Sequence, residues 1–398
     1  MNNRLSNRVQ RVTGSLTLAI DGKAKQMKSQ GIDVISFGAG EPDFDTPAHI
    51  RAAAQAAMDG GQTRYTPASG TLALRQAVCD KLQRRNGLTY TPSQIVMTNG
   101  AKQALCNTFF ALLNEGDEAI LLAPCWVSYP ELIQMAGGVP VVVHRQKRDG
   151  FRLNLETLAA AMSEKTKLIV LNTPDNPCGG ILTEQELQAI YALARAHDCY
   201  IVADEIYEEF VYEGKAPNSI ATLGEDAQAR TVIVNGVSKT YAMTGWRVGY
   251  SASNEALAKA MGNWQSHATG NVNSIAQAAA LEALAGPQAC VREMVDQFRE
   301  RMHAMVERIN AMPLLHCEMP KGAFYVMADI EQVFGKVVDG VTITDSMSFA
   351  QSLLTHAGVA VVPGSGFFED TMVRLSYALS MEDLQRGMDK MEAFMRTL

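Results

Sequence analysis

A lysine placed between a buried strand and a glycine-containing turn can lose its water and release its proton near neutral pH. Lys239, in NGVSKTYAMTGWRVGY (235–250), is such a residue, and a desolvated amine of this kind can form a Schiff base with a carbonyl. In ADEIYEE (203–209), Asp204 and Glu205 end another apolar strand, with Tyr207 just behind. A carboxylate at the end of a buried strand can face a ring nitrogen and keep it protonated, which an electron-accepting ring requires. In NTPDNPCGG (172–180), proline and glycine fix a tight connection that presents the Asn176 amide rigidly. The stretch MTNGAKQALCNTFFALL (97–113) reads as strand, glycine turn and helix. Its Gly100, Ala101 and Lys102 would offer a phosphate the unpaired N–H groups and dipole of a helix N-terminus. Trp126, in APCWVSYPE (123–131), could stack on a flat ring. Arg374 sits inside the apolar VRLSYA (373–378), and a buried guanidinium demands a carboxylate, either an internal Asp or a bound ligand.

These residues need a frame, and from about residue 94 short β-rich runs alternate with helical stretches: IVMT (95–98), EAILL (118–122), PVVVH (140–144), KLIVL (167–171), CYIVA (199–203) and TVIVN (231–235). The alternation predicts an α/β fold around a mostly parallel sheet, and the unbroken apolar character of the strands predicts helices on both faces. Several of the chemically loaded segments follow a strand's carboxyl end, where open α/β sheets bind ligands. One helix opens on a capping box, Thr183 with Glu186. Beyond about Gly286 come a long charged helix (288–310), GAFYVMADI, a helix near 344–357, GVAVVPG, VRLSYA, and a last helix from Ser380. The expected division is an N-terminal arm and part of a small domain (1–48), a large domain (49–286), and a small α+β domain (287–398).

The 398 residues carry a net charge of -7, which offers no general attraction to nucleic acid or an anionic membrane. No apolar run approaches the roughly 20 residues of a membrane span, and Met1 to Gln10 are polar where a signal peptide would be apolar. The seven cysteines form no CxxC, so free thiols in a reducing, cytoplasmic setting are expected. The seven histidines show no metal-ligand spacing, and no metal site is expected.

Taken in order, from GAGEPDFDTP (38–47) and RYTPASGTLALR (64–75) through SKTYAMTGWRVGY to VRLSYA, these segments resemble the class I aminotransferases, the aspartate-aminotransferase-like group of fold type I pyridoxal-phosphate enzymes. The resemblance spans most of the chain. It implies a large domain with a mostly parallel seven-stranded sheet, a smaller α+β domain, pyridoxal 5'-phosphate as cofactor, and a homodimer with shared active sites. By it, Lys239 holds the cofactor as a Schiff base and moves the proton, and Asp204 pairs with the pyridine nitrogen. Tyr207 and Asn176 hydrogen-bond the phenolic oxygen, and Trp126 covers the ring. Ser238, Arg247, Gly100, Ala101 and Lys102 bind the phosphate, with Tyr65 reaching in from the second subunit. Arg374 grips the substrate α-carboxylate, assisted by Asn176 and the Gly40 backbone. The chain departs from the family at Cys125, Cys178, Gly236, His267 and Gly270; Gly236 shifts phosphate binding toward Lys102 and Arg247, and the last two leave substrate range open.

The implied reaction moves an amino group between an L-amino acid and a 2-oxo acid such as 2-oxoglutarate, with ping-pong kinetics. Lys102 could also reach a distal carboxylate, which favours aspartate or glutamate over aromatic amino acids, alanine or prephenate. A carbon–sulfur lyase would use the same Lys239, Asp204 and Arg374. A non-catalytic binding module is disfavoured by the intact Lys239, and a dinucleotide oxidoreductase by the lack of GxGxxG after a strand.

Overall fold

The computed structural model describes residues 4–10, 12–14, 16–212 and 219–398. Seven strands form the main sheet: β1 (Ile95–Thr98), β2 (Glu118–Ala123), β3 (Val139–His144), β4 (Thr166–Asn172), β5 (Tyr200–Asp204), β6 (Thr231–Gly236) and β7 (Gly249–Ala252), in the order β1-β7-β6-β5-β4-β2-β3. Only β7 runs against its neighbours; the pairs β2/β3, β2/β4, β4/β5 and β5/β6 are parallel. The other six strands therefore end on one edge.

The alternation of side chains along these strands explains the layering. Leu121, Val170, Val202 and Val234 face one way and pack with Leu105 and Phe109 of the helix Ala101–Leu112 and with Leu257 and Met261 of the helix Glu255–Ala268. Ile120, Ile169, Leu171 and Ile201 face the other way, against Leu187, Ile190 and Ala194 of the helix Glu184–Ala196. That helix opens on the Thr183–Glu186 capping box expected of it. The expected strands are all present, each within a residue of its bounds. The seventh strand, β7, starts at the end of the segment that carries Arg247 and runs on past it to Ala252.

The C-terminal part builds a second, antiparallel sheet in the order Val362–Pro363, Met372–Ser376, Tyr325–Asp329, His316–Cys317. Its core includes Phe298, Met302 and Met305 of the long helix Ala289–Ala311, together with Phe349 and Met388. Ile35–Ser36 pairs in parallel with Val359–Ala360, so the segment around Phe37 packs on this second sheet.

Candidate active site

Four of the parallel strands aim their carboxyl ends at one cavity of about 390 Å³, a size suited to a small organic ligand. Ala123 ends β2 and leads through Pro124 to Trp126 and Tyr129; Asn172 ends β4 and leads to Asn176; Asp204 ends β5, with Tyr207 beyond; Gly236 ends β6, with Ser238 and Lys239 beyond. The second sheet closes the cavity with Tyr325 and Arg374, whose strands are antiparallel neighbours. Gly40, Ala101, Lys102 and Arg247 complete the lining. Of the candidate residues singled out in the sequence, Gly100, Tyr65 and Glu205 do not line it: Gly100 lies one residue behind Ala101, Tyr65 is 97% exposed, and Glu205 is buried outside the cavity.

Lys239 is half-buried, and its Nζ donates to the Gly40 carbonyl. Burial, the largest effect, brings its pKa down to about 8; Arg247 and Arg374 push the same way, while Glu41 and Asp204 oppose them. Asp204 is 4% exposed. Its Oδ2 accepts from the Tyr129 hydroxyl at 2.7 Å and its Oδ1 from the Ile206 N–H at 3.3 Å. Burial outweighs both bonds and raises its carboxyl to about 6. A cation placed beside it would reverse that shift.

Arg374 is 2% exposed and has no carboxylate partner among the described residues. Its Nη1 donates to Asn176 Oδ1 at 2.9 Å and its Nη2 to the Gly38 carbonyl at 3.0 Å, while its Nε has no partner. Its guanidinium lies 4.4 Å from the Tyr325 ring centre and 5.1 Å from that of Phe367. Burial lowers its pKa, as expected of a cation lacking its anion. The choice left open by the sequence is thus settled against an internal Asp. The Gly38 carbonyl supplies the backbone oxygen at Arg374, while the Gly40 carbonyl, at the cavity wall, accepts from Lys239.

At the opposite wall the helix Ala101–Leu112 begins at Gly100, which has a φ of 82°. A Cβ there would meet Arg247 Nη2 at 2.3 Å, so glycine is what allows the arginine to cross the helix N-terminus. Arg247 donates to the Thr244 carbonyl at 2.7 Å and the Asn99 carbonyl at 3.3 Å. Lys102 Nζ stands 4.9 Å from the Trp126 ring centre. Partial burial, and then Arg247, hold its ammonium below the usual lysine range. Neither cation has a carboxylate partner among the described residues.

Tyr207 and Asn176 are both at the cavity, with partners of their own: Tyr207 and Tyr325 share a hydrogen bond of 2.9 Å between hydroxyls, and Asn176 N–H donates to Asn172 Oδ1 at 2.9 Å. Tyr129, Tyr325 and Asn172 escaped the sequence reading. Tyr129 stands three residues past Trp126 and Tyr325 ends GAFY, so each had a nearby signal, but what they touch lies far away in the chain.

The site is thus a strand-edge cavity with a desolvated lysine and unpaired charges of both signs among the described residues. The chain belongs to the family "Aminotransferase class I and II", whose profile matches residues 32–391, and it is an aminotransferase of fold type I. It is 43% identical over 396 residues to an aspartate aminotransferase of Bacillus sp. (strain YM-2), covering 100% of both chains. It is 44% identical over 392 residues to an aspartate/prephenate aminotransferase of Cereibacter sphaeroides, covering 98% of both. Among solved structures, the aspartate aminotransferase of Rhizobium meliloti superposes with a TM-score of 0.95 at 39% identity, and that of Thermus thermophilus with maleate with 0.93 at 41%; each comparison covers 99% of both chains.

Proposed function

We propose that this aminotransferase binds pyridoxal 5'-phosphate and moves an amino group between aspartate or glutamate and a 2-oxo acid such as 2-oxoglutarate, by a ping-pong mechanism. One observation carries the reading: a single cavity holds Arg374, Lys102 and Arg247 without an anion and Asp204 without a cation. Pyridoxal phosphate and an amino acid supply these complements. Asp204 would face the pyridine nitrogen, and Tyr207 and Asn176 the phenolic oxygen. Trp126 would cover the ring. Ser238, Arg247, Lys102 and the N–H groups of the Gly100–Ala101 turn would hold the phosphate. When bound, the cofactor supplies a carbonyl that takes up the amine and a ring that accepts the electron pair left at Cα.

The chain's own residues do the rest. Lys239, with a pKa near 8, is partly neutral at physiological pH and can take the proton from Cα and return it elsewhere. Arg374 orients the substrate by its α-carboxylate, and Asn176 fixes the guanidinium plane. The preference for acidic substrates rests on Lys102, which leans over Trp126 at the cavity wall, and on the names of the relatives. Prephenate is a second candidate, favoured by the aspartate/prephenate aminotransferases among them.

The partner subunit of a homodimer would receive Tyr65, whose ring is 97% exposed and remote from its own cavity. The seven free cysteines suit a cytoplasmic location. The test is oxaloacetate formation from aspartate and 2-oxoglutarate in wild type and Lys102→Ala, with alanine, phenylalanine and prephenate run in parallel. With cofactor saturating, a far larger loss in Lys102→Ala for aspartate and glutamate than for alanine or phenylalanine is expected. Equal losses across all substrates would leave Lys102 a phosphate ligand only.

A further inference from the structure

We propose that the buried Arg145–Asp175 pair is a strut that sets the spacing between the Trp126 wall and the Asn176 wall of the site, and so fixes where Asn176 and Arg374 meet a substrate carboxylate. Neither residue lines the active-site cavity, so this is a positioning role. Arg145 follows β3 directly, and its side chain spans two other strand ends. Its Nη2 donates to the Pro124 carbonyl at 2.7 Å and its Nε to the Ala123 carbonyl at 3.4 Å, holding the segment two residues before Trp126. Its Nη1 donates to Asp175 Oδ2 at 2.6 Å, one residue before Asn176.

Asp175 spends its other oxygen on the loop itself. Oδ1 accepts from the Cys178 N–H at 2.8 Å and the Gly180 N–H at 3.3 Å, and the Asp175 N–H donates to the Gly180 carbonyl at 2.9 Å. The loop that presents Asn176 is therefore closed on Asp175, and Asp175 is tied to the opposite wall by one guanidinium. With Asn172 Oδ1 holding the Asn176 backbone N–H at 2.9 Å, the Asn176 backbone is fixed from both sides. The side chains of Arg145 and Asp175 are 6% and 5% exposed. A pair so buried recovers little net stability once desolvation is counted, so an account by stability alone explains it poorly. Its geometry, three bonds across two walls of a catalytic cavity, explains it better.

The proposal rests on the reading above only in that the ligand is a carboxylate. Asp175→Asn keeps an acceptor for the Cys178 and Gly180 N–H groups but turns an NH₂ toward the guanidinium, so the loop persists while the strut is lost. Dissociation constants of maleate and of 3-phenylpropionate for the holoenzyme, measured by calorimetry, are the readout, with thermal melting alongside. Asp175→Asn should weaken both ligands by about tenfold, the effect of a misplaced orienting group. It should change them by less than about twofold once Asn176→Ala is already present, because the effect acts through Asn176. Arg145→Lys, which keeps the charge but not the Pro124 bond, should reproduce the loss should Asp175→Asn fail to fold. A lower melting temperature with unchanged dissociation constants, or equal losses with and without Asn176, would overturn the proposal. A wild type that binds 3-phenylpropionate but not maleate would strike only the acidic-substrate reading; one that binds neither would strike the carboxylate reading itself.

Discussion

Lys239 is held in a state the cofactor-free fold would rather avoid, and replacing it should make that form more stable. Its pKa falls from 10.5 to about 8 on burial. Below pH 8 the ammonium is charged in both folded and unfolded chains, and the folded state bears the full penalty. Between pH 8 and 10.5 the unfolded chain binds more protons than the folded one, so stability rises with pH; above that window the penalty is gone. Two and a half pKa units correspond to about 3 kcal/mol. Lys239→Met removes this penalty and also frees the Gly40 carbonyl that Nζ now occupies, a loss of about 1 kcal/mol. The net gain near pH 7 is about 2 kcal/mol, which for a chain of this length raises the melting temperature by about 2–3 °C. Calorimetric melts of both cofactor-stripped proteins from pH 7 to 10 check this; Asp204, whose carboxyl Lys239 draws down, titrates at about 6, below that range. The difference should be largest at pH 7 and shrink, then change sign, as pH approaches 10. A variant less stable than wild type at pH 7, or a difference flat with pH, would refute the desolvation argument for Lys239.

Three further outcomes are expected. Arg374→Lys cannot reproduce the planar fork that meets Asn176 and Gly38, and should lower kcat/KM for aspartate, glutamate, alanine and phenylalanine alike, at a cost of about 2–5 kcal/mol; a loss confined to dicarboxylates would contradict it. Asp204→Ala should keep some cofactor by absorbance yet lose turnover by more than about 100-fold, because it removes a preorganised charge and not the lysine; near-normal kcat would exclude that role. Sedimentation should show a homodimer, and Tyr65→Phe should raise the cofactor's dissociation constant severalfold; a monomer fully active at nanomolar concentration would rule out the shared site.

What the sequence made legible is what depends on neighbours in the chain. Asp204 and Lys239 each follow an apolar run, and because such a run ends at the ligand-binding edge of a parallel sheet, both could be placed before their partners were known. The capping box at Thr183 and the long helix from Ala289 were readable for the same reason. β7 was not, because it is four residues long, begins on a glycine and runs against its neighbours. That glycine has a tertiary cause: a Cβ at Gly249 would stand 2.4 Å from the Ala101 nitrogen, so β7 passes directly beneath the N-terminus of the helix Ala101–Leu112. Local propensity counts such a residue against a strand, and the close approach that requires it is visible only once two distant segments are folded together. Arg145 shows the same limit from the other side. In HRQKRDG it is one of three basic residues with nothing local to set it apart, and only the folded chain brings Pro124 and Asp175 to its guanidinium. Residues that line the cavity at strand ends could be found from the sequence; Arg145 behind it could not, since its partners lie 21 and 30 positions away.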